Sequence, residues 1–303
     1  MTAPQRPAPL LPGAKVAIIT ASGPVNPDAL AKGLLILRDW DLEPVVLPSA
    51  MAAPSPAFTH LAGTDQLRAD DLVQALTSPE FDAVIFAKGG DGAQRALELI
   101  DWQALSPLRP EPRWVVGFSD VTAVQEALLR HWGWVSLYGP MPATSYLLAE
   151  RAQASLHEAL FERPSQLVFP DAWTITSGTA EGIVMGGCCA LVTSSIGTVT
   201  SVPADGGLLF LEDEFEEPHR LDRMFTQLRR SNFLDGLRGV LLGNFDQCGD
   251  PQVVNDLLRD RFGDLGVPVL AGLDVGHGVP LQSLPIGARA VMDTDTRTLQ
   301  LVD

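Results

Sequence analysis

Cysteine is scarce in this chain of 303 residues: only Cys188, Cys189 and Cys248 are present. An odd count with two adjacent residues makes no disulfide framework. Buried, reduced thiols in a reducing compartment are expected instead. Basic residues are also few. The 21 Lys and Arg stand against 37 Asp and Glu, for a net charge of −16. A surface of that sign attracts neither nucleic acid nor an anionic membrane. It still permits a small anionic substrate held by a local cation. No stretch approaches about 18 consecutive apolar residues, so no transmembrane span is expected. The N-terminal stretch from Met1 to Gly13 is proline-rich and lacks the apolar core of a signal peptide. A soluble, cytoplasmic protein is the expectation. The spacings His-Glu-x-x-His and Cys-x-x-Cys are absent, so neither metal nor cofactor is expected. No internal repeat is seen.

At 46% hydrophobic residues the chain has material for sizeable cores, and its length suits two domains or one large one. Its first half alternates apolar strands with helical patterns. Lys15 to Thr20, Glu43 to Leu47, Ala83 to Ala87 and Trp114 to Val116 read as strands. Helices are expected from Asn26-Pro27-Asp28 to about Leu37, from Asp65 to Thr77 and from Ala93 to Ile100. Strands that are apolar throughout, separated by helices, indicate a mostly parallel sheet covered on both faces. Residues 141 to 170 read as a helix and a linker. From Thr176 the texture changes to Gly, Val and Thr, and the tail from Ala288 to Val302 alternates like a closing antiparallel pair. The expected organisation is an N-terminal α/β domain over 1–165, a linker to about 178, and a mainly β C-terminal domain over 179–303.

The segment Gly117-Phe118-Ser119-Asp120 places a serine between a buried strand and a helix. There its hydroxyl meets the free N–H groups of a helix N-terminus. That position suits an acyl-transfer nucleophile. It also suits a helix cap, which is the simpler reading of these four residues alone. The Gly-x-Ser-x-Gly hydrolase elbow is not matched, because position 121 is Val. A serine nucleophile needs a base and a group to orient that base. His131 and His157 lie in apparent helices, His219 in the first turn of another, and His60 in a loop without signal. His277 differs, standing between Gly276 and Gly278 in the turn from Asp274 to Pro280, directly after a strand. Glycines on both sides permit unusual backbone angles and close approach. Among the five carboxylates from Glu212 to Glu217, Glu212 continues the apolar run Leu208 to Leu211. A carboxylate at the end of a buried strand is costly unless paired, and holding an imidazole N–H is one use for it. The loop Gly89-Gly90-Asp91-Gly92 lies between a strand and a helix, where backbone N–H groups can meet an anion. It matches neither dinucleotide nor P-loop spacing. A small-ligand binding protein using this loop without catalysis is therefore a second reading. Cys188 and Cys189 read as core residues.

Taken in order, these segments resemble the LD-carboxypeptidase family of serine peptidases, which includes murein tetrapeptide carboxypeptidases and microcin-immunity peptidases. The resemblance runs over most of the chain. It rests on Leu61-Ala62-Gly63-Thr64-Asp65, Lys88-Gly89-Gly90-Asp91-Gly92-Ala93, Gly117 to Ala123, and Tyr138-Gly139-Pro140-Met141. In the second half it rests on Leu211-Glu212-Asp213 with His219 to Met224, and on Gly276-His277 with Leu284-Pro285-Ile286-Gly287. The resemblance implies a triad of Ser119, His277 and Glu212, with backbone N–H groups of Gly90 and Asp120 as the oxyanion hole. It implies a site between two domains, a homodimer, and removal of terminal D-Ala from the cytoplasmic tetrapeptide of recycled peptidoglycan. Hydrolysis of a peptide–nucleotide antibiotic is the alternative within the same chemistry. Lys88 replaces the family's Arg, Asp91 its Tyr, Tyr138 its His, Cys188 its Asn, and Gln282-Ser283 its usual Leu-Thr or similar pair. Arg220, Arg223 and Lys88 are the candidates by charge for gripping a terminal carboxylate.

Overall fold

A computed structural model describes residues 4–108, 110–278 and 281–302. Val279 and Pro280, which close the expected His277 turn, lie outside the described residues. The first half runs β1 (Lys15–Ile19), α1 (Pro27–Asp39), β2 (Glu43–Val46), α2 (Asp65–Thr77), β3 (Ala83–Phe86), α3 (Ala93–Glu98), α4 (Trp102–Leu105), β4 (Trp114–Gly117), α5 (Thr122–Trp132) and β5 (Ser136–Tyr138). These strands pair in parallel in the order β5-β4-β3-β1-β2. Every residue of β3 and β4 is buried, as strands covered on both faces require. Asn26 caps α1 through the N–H groups of Asp28 and Ala29, and Thr64 caps α2 through that of Leu67.

The second half runs α6 (Glu150–Phe161), β6 (Gln166–Val168), β7 (Trp173–Thr176), β8 (Thr179–Cys188), α7 (Cys189–Ser195), β9 (Gly207–Glu214), α8 (Pro218–Arg230), β10 (Gly239–Asp246), α9 (Pro251–Phe262), β11 (Val269–Ala271), β12 (Leu284–Ile286), β13 (Arg289–Asp293) and β14 (Thr298–Val302). Its sheet has eight strands in the order β6-β14-β13-β8-β9-β10-β11-β7. The inner strands β8 to β11 are parallel, and the outer ones pair antiparallel. The expected closing pair is β13 with β14, joined from Arg289↔Val302 to Asp293↔Thr298.

Several features differ from the linear reading. The stretch read as a helix and linker holds a short edge strand, β6, with only Leu167 of its three residues buried. Three residues with one inward side chain leave little periodic signal. A second feature is β12, which leaves the second half and pairs antiparallel with β5, Leu284 opposite Tyr138. It extends the first sheet to six strands. The β12 pairing places Leu284–Ile286 on the sheet that carries Ser119.

Candidate active site

The residues singled out from sequence converge where the two sheets meet. Ser119 follows β4 at the carboxyl edge of the first sheet. Its φ is +65°, a left-handed backbone conformation that costs a side-chain-bearing residue about 1–3 kcal/mol. The turn closes this tightly because Gly117 has no side chain; a Cβ there would stand 2.8 Å from Val121 Cγ1. Neither the short turn at Ser119 nor α5 has a side-chain cap, so the simpler reading of Ser119 as a cap is set aside.

The glycine loop after β3 lies directly against this turn. A Cβ on Gly89 would sit 3.1 Å from Ser119 Cβ and 3.3 Å from its Oγ. Gly90 and Gly92 have φ values of +120° and +118°, which exclude ordinary side chains. Asp120 pins this arrangement. Its buried carboxylate accepts from Ser22 Oγ at 2.6 Å and from Ala93 N at 2.8 Å. Those two bonds tie the loop after β1 and the start of α3 to the Ser119 turn. Burial pushes the Asp120 carboxyl up to about 6, against the pull of its hydrogen bonds. The side chain of Asp120 thus has a structural task that its sequence context did not reveal.

Glu212 enters from β9 and is fully buried. Its Oε2 accepts from His277 Nδ1 and from the His277 backbone N–H, both at 2.7 Å. Its Oε1 accepts from Tyr138 Oη at 2.5 Å. A Cβ on Gly276 would fall 2.4 Å from Glu212 Oε2, so only glycine, at φ +106°, fits beneath the carboxylate. Tyr138 Oη also accepts from Ser119 N–H at 3.1 Å. Burial, with the Glu212 charge, raises this phenol well above its ordinary range and keeps it neutral. A residue noted in sequence only as a departure therefore joins Glu212 of one sheet to Ser119 of the other. The replacement of His by Tyr was the visible signal; its partners were not.

His277 is 3% exposed, and its ring lies 4.9 Å from that of Phe118. Its Nε2 faces Glu214 Oε1 at 3.1 Å, and no hydrogen bond joins the ring to Ser119 Oγ. Burial pulls the imidazole pKa down, but Glu212 and Glu214 outweigh it and raise the ring to about 10. Asp213 turns away from His277. It accepts from Ala190 N at 2.9 Å at the start of α7, and burial beside Glu212 raises it to about 7. Cys188 and Cys189 are buried core thiols, pushed well above the ordinary range by burial and nearby carboxylates. The end of β8 also packs on the start of α5: a Cβ on Gly187 would lie 2.5 Å from Thr122 Oγ1, and Cys188 N donates to that oxygen at 3.0 Å.

The other histidines stand apart. His131 stacks on Trp102 at 4.6 Å, His157 on Phe161 at 4.5 Å, and His60 and His219 are exposed. Arg220 pairs with Glu216 at 2.6 Å. Among the described residues no group of histidines, cysteines and carboxylates is arranged to hold a metal ion. No helix among them is long and apolar enough to cross a membrane.

Comparison with known proteins decides the family. Residues 16–139 match the LD-carboxypeptidase N-terminal domain, and residues 181–292 match its C-terminal domain. The chain belongs to the LD-carboxypeptidase family. A putative carboxypeptidase of Streptomyces coelicolor is 45% identical over 299 residues, covering 98% of this chain and 96% of that protein. A probable murein peptide carboxypeptidase of Bacillus subtilis is 33% identical, over 97% of this chain and 93% of its own. Among solved structures, MccF in complex with glutamyl sulfamoyl guanosine shares the fold. Its TM-score is 0.86 at 21% identity, with 98% of both chains covered. Membership in the LD-carboxypeptidase family makes this chain a serine-type carboxypeptidase in the broad sense.

Proposed function

We propose that this protein is a cytoplasmic serine carboxypeptidase that hydrolyses an L,D-peptide bond. It releases terminal D-Ala from a muropeptide tetrapeptide during peptidoglycan recycling. One observation carries the reading: a serine at φ +65° on a strand–helix turn is linked through Tyr138 Oη to the buried glutamate that holds His277 at 2.7 Å. Ser119 Oγ attacks the scissile carbonyl while His277 Nε2 takes its proton. Glu212 fixes the ring through Nδ1 and stabilises the imidazolium. The tetrahedral oxyanion is received by the N–H groups of Gly90 and Asp120. Collapse expels the D-Ala amine, which takes the proton from His277. Water, activated by the same ring, then frees Ser119 from the acyl group. For this sequence Nε2 exchanges Glu214 for Ser119 Oγ when substrate enters. In this reading the domains are 1–165 with a linker to about 178 and 179–303, and the protein acts as a homodimer.

The murein peptide named for the Bacillus relative supports a peptide substrate. The nucleoside ligand of MccF supports the runner-up, a peptide–nucleotide amidase. Incubating the protein with murein tetrapeptide and, separately, with an aminoacyl sulfamoyl nucleoside separates the two. Mass spectrometry is expected to find tripeptide and free alanine from the first and an intact second compound. Cleavage of the nucleoside alone would overturn the carboxypeptidase reading, and cleavage of neither would favour a binding protein.

A further inference from the structure

We infer that the ammonium of Lys88 is the anchor for the free carboxylate of the substrate's terminal residue. The inference rests on the carboxypeptidase reading above and names the group that makes it a carboxypeptidase rather than an internal amidase. Lys88 follows β3 by two residues and opens the glycine loop. It is half-buried, and its stem folds back along that loop. A Cβ on Gly90 would stand 3.9 Å from Lys88 Cε, and a Cβ on Gly23 would stand 3.5 Å from its Nζ. Its side chain thus runs along Gly23 and Gly90 at ordinary packing distance, while the next residue, Gly89, packs against Ser119. The ammonium is therefore built into the same loop that packs on the nucleophile's turn.

Its electrostatic setting points to an anionic ligand. The site whose serine turn packs on this loop is rich in carboxylates: Glu212, Glu214 and Asp120. The neighbouring cations are committed elsewhere. Arg68 and Arg95 both bind Asp65, and Arg220 binds Glu216. Lys88 has no ion pair or hydrogen bond among the described residues. A half-enclosed ammonium without a counter-charge is unfavourable, and a ligand carboxylate relieves it. Arg223, the third candidate by charge, is exposed on α8, beside Thr226 and Arg230. Lys88 is thus a cation able to offset the repulsion between this acidic site and a peptide ending in a free acid.

The test compares a murein tetrapeptide with a free C-terminal carboxylate and the same peptide as its C-terminal amide. Wild type, Lys88→Met and Lys88→Arg are assayed on both. A charge-assisted contact at a half-exposed position corresponds to about 10- to 100-fold in affinity. Lys88→Met is expected to lose that factor on the free acid, mainly through KM, with kcat little changed. Its activity on the amide is expected to match wild type, and Lys88→Arg to recover most of the loss. If Lys88→Met retains the wild-type preference for the acid, the assignment of Lys88 is overturned and the peptidase reading stands. If wild type cleaves neither peptide, the peptidase reading fails and this assignment fails with it.

Discussion

Replacing Glu214 with Gln tests the ring geometry of His277 without requiring turnover. In the resting structure the imidazole lies between Glu212 on Nδ1 and Glu214 on Nε2, and together they raise it to about 10. At an effective dielectric constant of about 20, unit charges separated by 3.1 Å attract by about 5 kcal/mol. Glu214 is 31% exposed, so solvent removes much of this, and a Gln oxygen still accepts a hydrogen bond. An effect of about 2 kcal/mol is left, which lowers the imidazole pKa by about 1–2 units at 1.4 kcal/mol per unit. The groups facing the ring otherwise stay in place: Glu212 from β9 on Nδ1, Phe118 at 4.9 Å and Tyr146 at 6.3 Å. The assay is an NMR titration of the His277 ring, assigned with His277→Gln. The sign carries over to stability. A pKa raised above that of the unfolded chain stabilises fully below about 6.5, and this contribution is lost as pH rises through about 10. Glu214→Gln should shift the end of that loss to lower pH. If catalysis needs the neutral ring, the acid limb of kcat/KM should move down by the same 1–2 units. A titration unchanged within about 0.3 unit would refute the account of Nε2, because even the screened interaction of about 2 kcal/mol exceeds that shift.

Three further substitutions probe the rest of the site. Ser119→Gly relieves the positive φ and should raise the unfolding free energy by up to about 1 kcal/mol while abolishing turnover; denaturation and activity are measured on the same preparation. Gly276→Ala puts a methyl group 2.4 Å from Glu212 Oε2 and should lower kcat at least about 10-fold, because the carboxylate must leave the ring. An unchanged kcat would contradict the packing described. Glu126 in α5 is buried with Oε2 unpartnered, and burial raises it to about 8. The folded state therefore binds its proton more tightly than the unfolded chain, and stability falls as pH rises from about 4.5 to about 8. Glu126→Gln should be near neutral in urea midpoint at pH about 5 and clearly stabilising at about 9.

Much of this was legible in the residues. The strands of the first sheet are apolar throughout, so their pairing on a covered parallel sheet followed from composition alone. The bounds of α2, Asp65–Thr77, were visible because Thr64 and the apolar spacing mark them. Glu212 and His277 were readable as anomalies, one a carboxylate ending a buried strand and the other a histidine between glycines. What was not legible depends on chain segments meeting from far apart. Tyr138, Glu212 and His277 form one hydrogen-bonded group only because β5, β9 and the segment after β11 converge. The turn of Glu214 toward Nε2 and the burial of the Asp120 carboxylate arise in the same way. Helix α7 was missed because Cys189 to Ser195 carries few turn or cap signals, its start being satisfied by Asp213 from a different strand. The positive φ of Ser119 is a product of crowding at Gly117 and Gly89, which no local propensity encodes.

The central claim is that Ser119 is the nucleophile of a hydrolase assembled from both sheets. Its most direct test is the rate of alanine release from murein tetrapeptide by Ser119→Ala, followed by mass spectrometry beside wild type with folding verified. The account predicts a fall of about 10⁴-fold or more. Turnover by Ser119→Ala within about 10-fold of wild type would contradict it.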